Sequence, residues 1–242
     1  RGKVPSGAAA DSTVIVSTTP SSGWTNVKGD LTGNSFTFTQ GNFAMNTMTV
    51  KKGSIVVGRA ASPASQTVVA GGTAVHMVNF QFDATQSGED VRFSTVPVQT
   101  LVAGGTTASY GNPSLLTNCQ LYDGATPLNN GSNALSPSTT ATTSADTNTI
   151  TLDNPLDVAK GTVKTLGMRC NISASTPTNS EFVWDHGAIG SFSATGATSG
   201  EAITESAASD SAVVVTISTG STTVTTDASS PGYKLVSAGS TD

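Results

Sequence analysis

The chain has 242 residues, enough for one large domain or two smaller ones. Only 11% of them are charged, against roughly 25% in an average soluble domain. The net charge is −5, and 11 Lys and Arg residues spread over the whole length exclude the clustered basic surface of a nucleic-acid-binding protein. Aromatics are scarce at 5%, while glycine, serine, threonine and valine are frequent. β-Branched residues suit pleated surfaces and small residues suit turns, so this is the composition of an all-β extracellular protein. Its apolar residues gather in short alternating runs, which argues against disorder. The longest strongly apolar run, "AVVVTI" at 212–217, falls far short of the roughly 20 residues of a membrane span. No transmembrane segment is expected. No signal peptide opens the sequence at Arg1, so a leader has been removed or the chain belongs to something longer.

Taken in chain order, the first informative stretch is "VKKGSIVVGRAASPASQTVVAGGT" at 50–73, because "ISTGSTTVTTDASSPGYKLVSAGST" at 217–241 resembles it. Gly53-Ser54 aligns with Gly220-Ser221 at an offset of 167, and Pro63 with Pro231 at 168. This reads as a tandem repeat. Residues 1–62 are then the tail of one module, 63–230 a complete module, and 231–242 the start of a third or an exchanged end strand. The prolines mark stiff joints.

Within 63–230 the predicted strands follow one another closely. "AVHMVNFQF" places Val78, Phe80 and Phe82 on one face. "DVRFSTVPV" alternates through Val91 and Phe93, then shifts phase to Val96 and Val98, as at a β-bulge. "LTNCQLYDG" places Thr117, Cys119 and Leu121 together. "NTITLDN", "TVKTLGMRCNIS", "EFVWD" and "SAVVVTIS" come next, with turns predicted at 123–124, 129–133 and 153–155. The tract 136–149 reads as an exposed low-complexity loop. Short strands with no helical period predict a Greek-key β-sandwich.

Cys119 and Cys170 each share a face with core-type residues, Cys170 with Leu166, Met168 and Ile172. In an extracellular chain they are expected to pair as a disulfide, two buried free thiols being the alternative. Asn130 in "NGS" and Asn171 in "NIS" are candidate glycosylation sites. His76 and His186 match no metal spacing and no GxSxG elbow accompanies them, so they are read as structural. Asp83, Glu89, Asp90, Asp123, Asp153 and Asp157 fall near predicted turns. No calcium-loop spacing links them, and turn formation is the simpler role, with structural calcium as the alternative. No catalytic residue, cofactor site or metal site is assigned.

The segments "SPASQTVVAGGTAVHMVNFQFDATQSGEDVRFSTVPV", "LTNCQLYDG" and "KGTVKTLGMRCNIS" resemble the immunoglobulin-like modules of large secreted surface proteins of bacteria, especially candidate phyla radiation lineages. The resemblance rests on Val69–Gly71, Glu89–Val91, Leu121–Gly124 and Lys160–Leu166. It implies tandem immunoglobulin-like Greek-key sandwiches and a surface-layer, wall-associated or adhesive role. The expectation is therefore a non-enzymatic structural segment of an extracellular surface layer or filament, with copies of itself as partners. The alternative is an adhesin or carbohydrate-binding module for surface glycans, which would need an exposed aromatic such as Trp184.

Overall fold

A computed structural model of the chain describes residues 2–5, 7–101, 109–138, 145–187, 192–220, 223–229 and 238–239. The expected third segment, 231–242, lies almost entirely outside the described residues. Near the N-terminus, β1 (Thr13–Val14) pairs with β4 (Met48–Thr49), and β2 (Ser17–Thr18) with β3 (Phe43–Ala44). These pairs form a ribbon that includes a single helical turn, Pro20–Gly23.

The remaining strands build two large sheets around one core, an all-β sandwich. The first sheet contains β5 (Val56–Arg59), β7 (Val75–Asp83), β10 (Leu116–Asp123), β11 (Thr126–Pro127), β13 (Val163–Ile172) and β17 (Ser206–Ala207), in the order β11-β10-β13-β7-β5-β17. The second contains β6 (Gln66–Val69), β8 (Val91–Leu101), β14 (Ser180–His186), β15 (Ala194–Gly196), β16 (Ala202–Ile203) and β18 (Val214–Ser218), in the order β16-β15-β8-β14-β18-β6. Two further strands join it: β9 (Ser109–Tyr110) pairs with β14, and β12 (Asp146–Val158) with β8.

The chain enters through β5, antiparallel to β7, then crosses to the other sheet as β6, parallel to β18. The cis peptide Ser62–Pro63 stands in that crossing. Residues upstream of the expected joint at 62/63 therefore belong to this core: Ile55 and Val57 are buried in it.

Alternation explains most of the packing. Val78, Phe80 and Phe82 of β7 are buried, as are Leu166, Met168, Cys170 and Ile172 of β13. Phe82, Phe93 and Phe192 form a ring cluster with centroids 4.8–5.8 Å apart, a geometry that adds about 0.5–1.5 kcal/mol per pair beyond area burial. The phase shift in β8 is present, since Val91 and Phe93 are buried and so are Val96 and Val98.

Three local expectations are corrected. Thr117 is exposed, and Leu116 joins Cys119 and Leu121 in the core instead. The register of β10 slips between Thr117 and Gln120, where Asn118 adopts φ 48°, and the slip reverses the alternation. The turn predicted at 153–155 lies inside β12, at its own register shift between Thr151 and Leu156. Of the tract expected as a loop, residues 146–149 pair with β8, and 139–144 lie outside the described residues. The "DG" turn is as expected, with Gly124 at φ 62° between β10 and β11.

Candidate functional site

Cys119 and Cys170 are bonded, with an S–S distance of 2.09 Å. They join neighbouring strands β10 and β13, and both are fully buried. The bulge turns Cys119 inward opposite Cys170, so the disulfide depends on the same register slip that exposes Thr117.

The candidate glycosylation sites differ. Asn130 is exposed on the loop after β11, where its Nδ2 donates to Asp153 Oδ2 at 2.7 Å. Asn171 is half-buried near the end of β13, and its Oδ1 accepts from the Ala74 N–H at 2.8 Å.

The two histidines lie in different sheets, on β7 and β14. His76 Nε2 contacts Asn79 Oδ1 at 2.7 Å. His186 Nδ1 donates to its neighbour's carbonyl, Gly187 O, at 2.8 Å. His186 Nε2 also lies 3.6 Å from Asp185 Oδ1, in a charged cluster that the sequence reading missed. Arg59 is the hub of that cluster. Its Nη2 and Nε donate to Asp210 Oδ1 at 2.6 and 2.9 Å, and its backbone N–H donates to Asp210 Oδ2. Its Nε lies 3.6 Å from Asp185 Oδ1. Ligand atoms of Asp185, His186 and Asp210 lie within 4.8 Å of one another. A divalent cation among them would meet the fixed guanidinium charge, so the arrangement acts as an ion-pair clasp. The signal for it was a lone arginine ending the apolar run "SIVVGR".

The six acidic residues weighed for calcium are scattered, and each serves the protein's own donors. Asp83 accepts from Thr85 N, and Asp90 from Lys160 N. Asp123 pairs with Lys164, and Asp157 with Arg92. Glu89 accepts from the Thr198 and Ser199 N–H groups and from the Ser199 hydroxyl. Partial burial pushes the Glu89 carboxyl up, but these hydrogen bonds outweigh it and hold the carboxyl below its usual range. Asp153 is likewise lowered, by Asn133 first and then by the Asn130 side chain and N–H.

Trp184 is 1% exposed and packed in the core, so it offers no platform to a glycan. Exposed apolar side chains concentrate instead on the N-terminal ribbon, at Val14, Ile15, Val16, Trp24, Phe36, Phe43, Met45 and Met48. The ribbon borders an open groove of about 880 Å³, lined by Val4, Val14, Val16, Met48 and Val50 among others. The longest helix among the described residues is one turn, and none could cross a membrane. Neither a family model nor a curated protein matches the chain.

Proposed function

We propose that the chain is a structural segment of an extracellular cell-surface assembly, a layer or filament built from repeated immunoglobulin-like β-sandwich modules. The observation that carries this reading is the match between structural unit and sequence interval. The core runs from Ile55 to Ile217, and the repeated Gly-Ser pairs stand at 53–54 and 220–221. The topology supports an immunoglobulin-like module: the first strand divides between the two sheets, antiparallel to β7 and then parallel to the last strand. The low surface charge supports dense lateral packing, because few like charges oppose it.

The polar chemistry supports a mechanical rather than a catalytic role. The clasp, the disulfide and the Glu89-capped turn all tie chain segments that are distant in sequence. The partners on this reading are copies of the same surface protein. The adhesin alternative loses its best aromatic, since Trp184 is buried.

The test is immunogold labelling with an antibody to the folded sandwich, on intact and on lysed source cells. Dense labelling of the intact outer surface is the expected result. Labelling that appears only after lysis would refute the proposal.

A further inference from the structure

We propose that the N-terminal ribbon is the closing hairpin of a second sandwich of the same kind, and that the groove beside it receives the remaining strands of that sandwich, carried upstream of Arg1. The inference rests on the reading as a tandem-module segment and names what meets that segment's exposed end.

The ribbon repeats several pairings from the end of the complete sandwich. Thr13 pairs with Thr49 and Val14 with Met48; with an offset of 168 for the first strand and 167 for the second, one residue differing in the connection between them, these become Glu181 with Thr216 and Phe182 with Val215, which also pair. The Asp11 N–H donates to Val50 O, and the equivalent Asn179 N–H donates to Ile217 O. Asp11 and Asn179 share a left-handed backbone, at φ 61° and 63°. Upstream, Ala8 N donates to Pro5 O and Ser12 N to Ala9 O, as Thr176 N does to Ser173 O and Ser180 N to Pro177 O. Serine, threonine and glycine bias can inflate a sequence match, but it does not impose a shared register, shared turns and a shared positive φ.

The equivalence identifies what the groove lacks. Val4, Val14, Val16, Met48 and Val50 line it, and they stand at the positions of Ile172, Phe182, Trp184, Val215 and Ile217. In the complete sandwich those five are at most 3% exposed. In the ribbon, Val4, Val14, Val16 and Met48 are 44–55% exposed. One apolar face is thus patterned for a core whose opposite wall is elsewhere.

A second copy of this chain does not supply that wall. Its sandwich already holds its own closing hairpin, β14 with β18. Its residues 219–242 repeat only the first strands of a module by sequence, and lack counterparts of β7, β8 and β13. Only a further module carries those strands. Gly2 stands at the Cys170 position, so that module lacks the disulfide there.

Methionine oxidation tests this. Met48 is equivalent to the buried Val215, whereas Met45 is equivalent to the exposed Ala212. Dilute hydrogen peroxide is applied to the polypeptide isolated from its source cells and, in parallel, to the 242-residue chain, with each sulfoxide followed by mass spectrometry. In the 242-residue chain both methionines are expected to oxidise at similar rates. In the source polypeptide, Met48 is expected to slow by about tenfold or more and Met45 to remain reactive. Equal rates in the source polypeptide overturn the inference. So does protection of Met48 that grows with the concentration of the 242-residue chain, because it makes a second copy the occupant. Equal rates in a protein found on the cell surface remove this inference alone. Protected Met48 in a protein absent from the surface removes the functional proposal and leaves the closing hairpin standing.

Discussion

Arg59 Nη2 and Asp210 Oδ1 lie 2.6 Å apart, although 151 residues separate them in sequence. The pair ties β5, the first strand of the sandwich, to the segment that leads into its last strand. Both side chains are largely withdrawn from solvent, at 8% and 10% exposure.

Removing the guanidinium leaves Asp210 buried with the Arg59 backbone N–H but without its opposing charge. Arg59→Ala is therefore expected to cost about 3–5 kcal/mol. Replacing both, as Arg59→Met with Asp210→Leu, is expected to recover most of that loss. Guanidinium unfolding midpoints of the two variants decide the matter, and a wild-type midpoint for Arg59→Ala would show that the clasp is idle.

The Cys119–Cys170 bridge spans a sequence separation of 51. Chain-entropy reasoning assigns a loop of that size about 4 kcal/mol. The double variant Cys119→Ala/Cys170→Ala should unfold at correspondingly lower denaturant. Adding reductant should lower the wild-type midpoint and leave the variant unmoved.

Acid should weaken the fold through specific carboxylates. The Ser199 and Thr198 hydrogen bonds outweigh burial at Glu89, and the Arg92 hydrogen bond lowers Asp157. A carboxyl lowered in the folded state contributes fully above its unfolded value, near pH 4, and loses that contribution as pH falls through the folded value. Melting temperature should hold from neutral pH to about 5 and decline below about 4. Glu89→Gln should melt lower at neutral pH and show a shallower decline, and an unchanged slope would remove Glu89 from this account.

Gly111 tests the packing of the core. A Cβ there would collide with the Phe182 ring, which is 2% exposed and has little room to retreat. Gly111→Ala should cost about 1–3 kcal/mol. The matching control, Gly124→Ala, meets no atom within 4 Å but sits at φ 62°, so its smaller loss should reflect backbone strain alone.

Much of this was legible in the sequence because burial in a sandwich follows a period of two. Phe80, Phe82, Leu166, Met168 and Cys170 could be placed from alternation alone. Thr117 could not, because a single left-handed residue, Asn118, reverses the phase without any glycine to mark it. The sequence reading placed "SIVVGR" in the tail of a preceding module, and only the pairing of β5 with β7 shows that its apolar residues enter this core. Arg59 stood out only as a lone arginine ending an apolar run, and its partners were not legible. Arg59, Asp185 and Asp210 are brought together by the packing of the two sheets, and no local spacing records that. The ribbon's likeness to the sandwich's final hairpin was obscured by substitution, since Val14 and Met48 share no identity with Phe182 and Val215. Only the pairing register makes it plain.

The central claim is that the sandwich is one unit of a tandem array. The most direct measurement is the intact mass of the polypeptide from its source cells, denatured and unreduced. The account predicts a mass well above the 24.2 kDa of this chain, by at least one further module. A mass near 24 kDa would contradict it, because no upstream strands would then exist to cover Val14, Val16 and Met48.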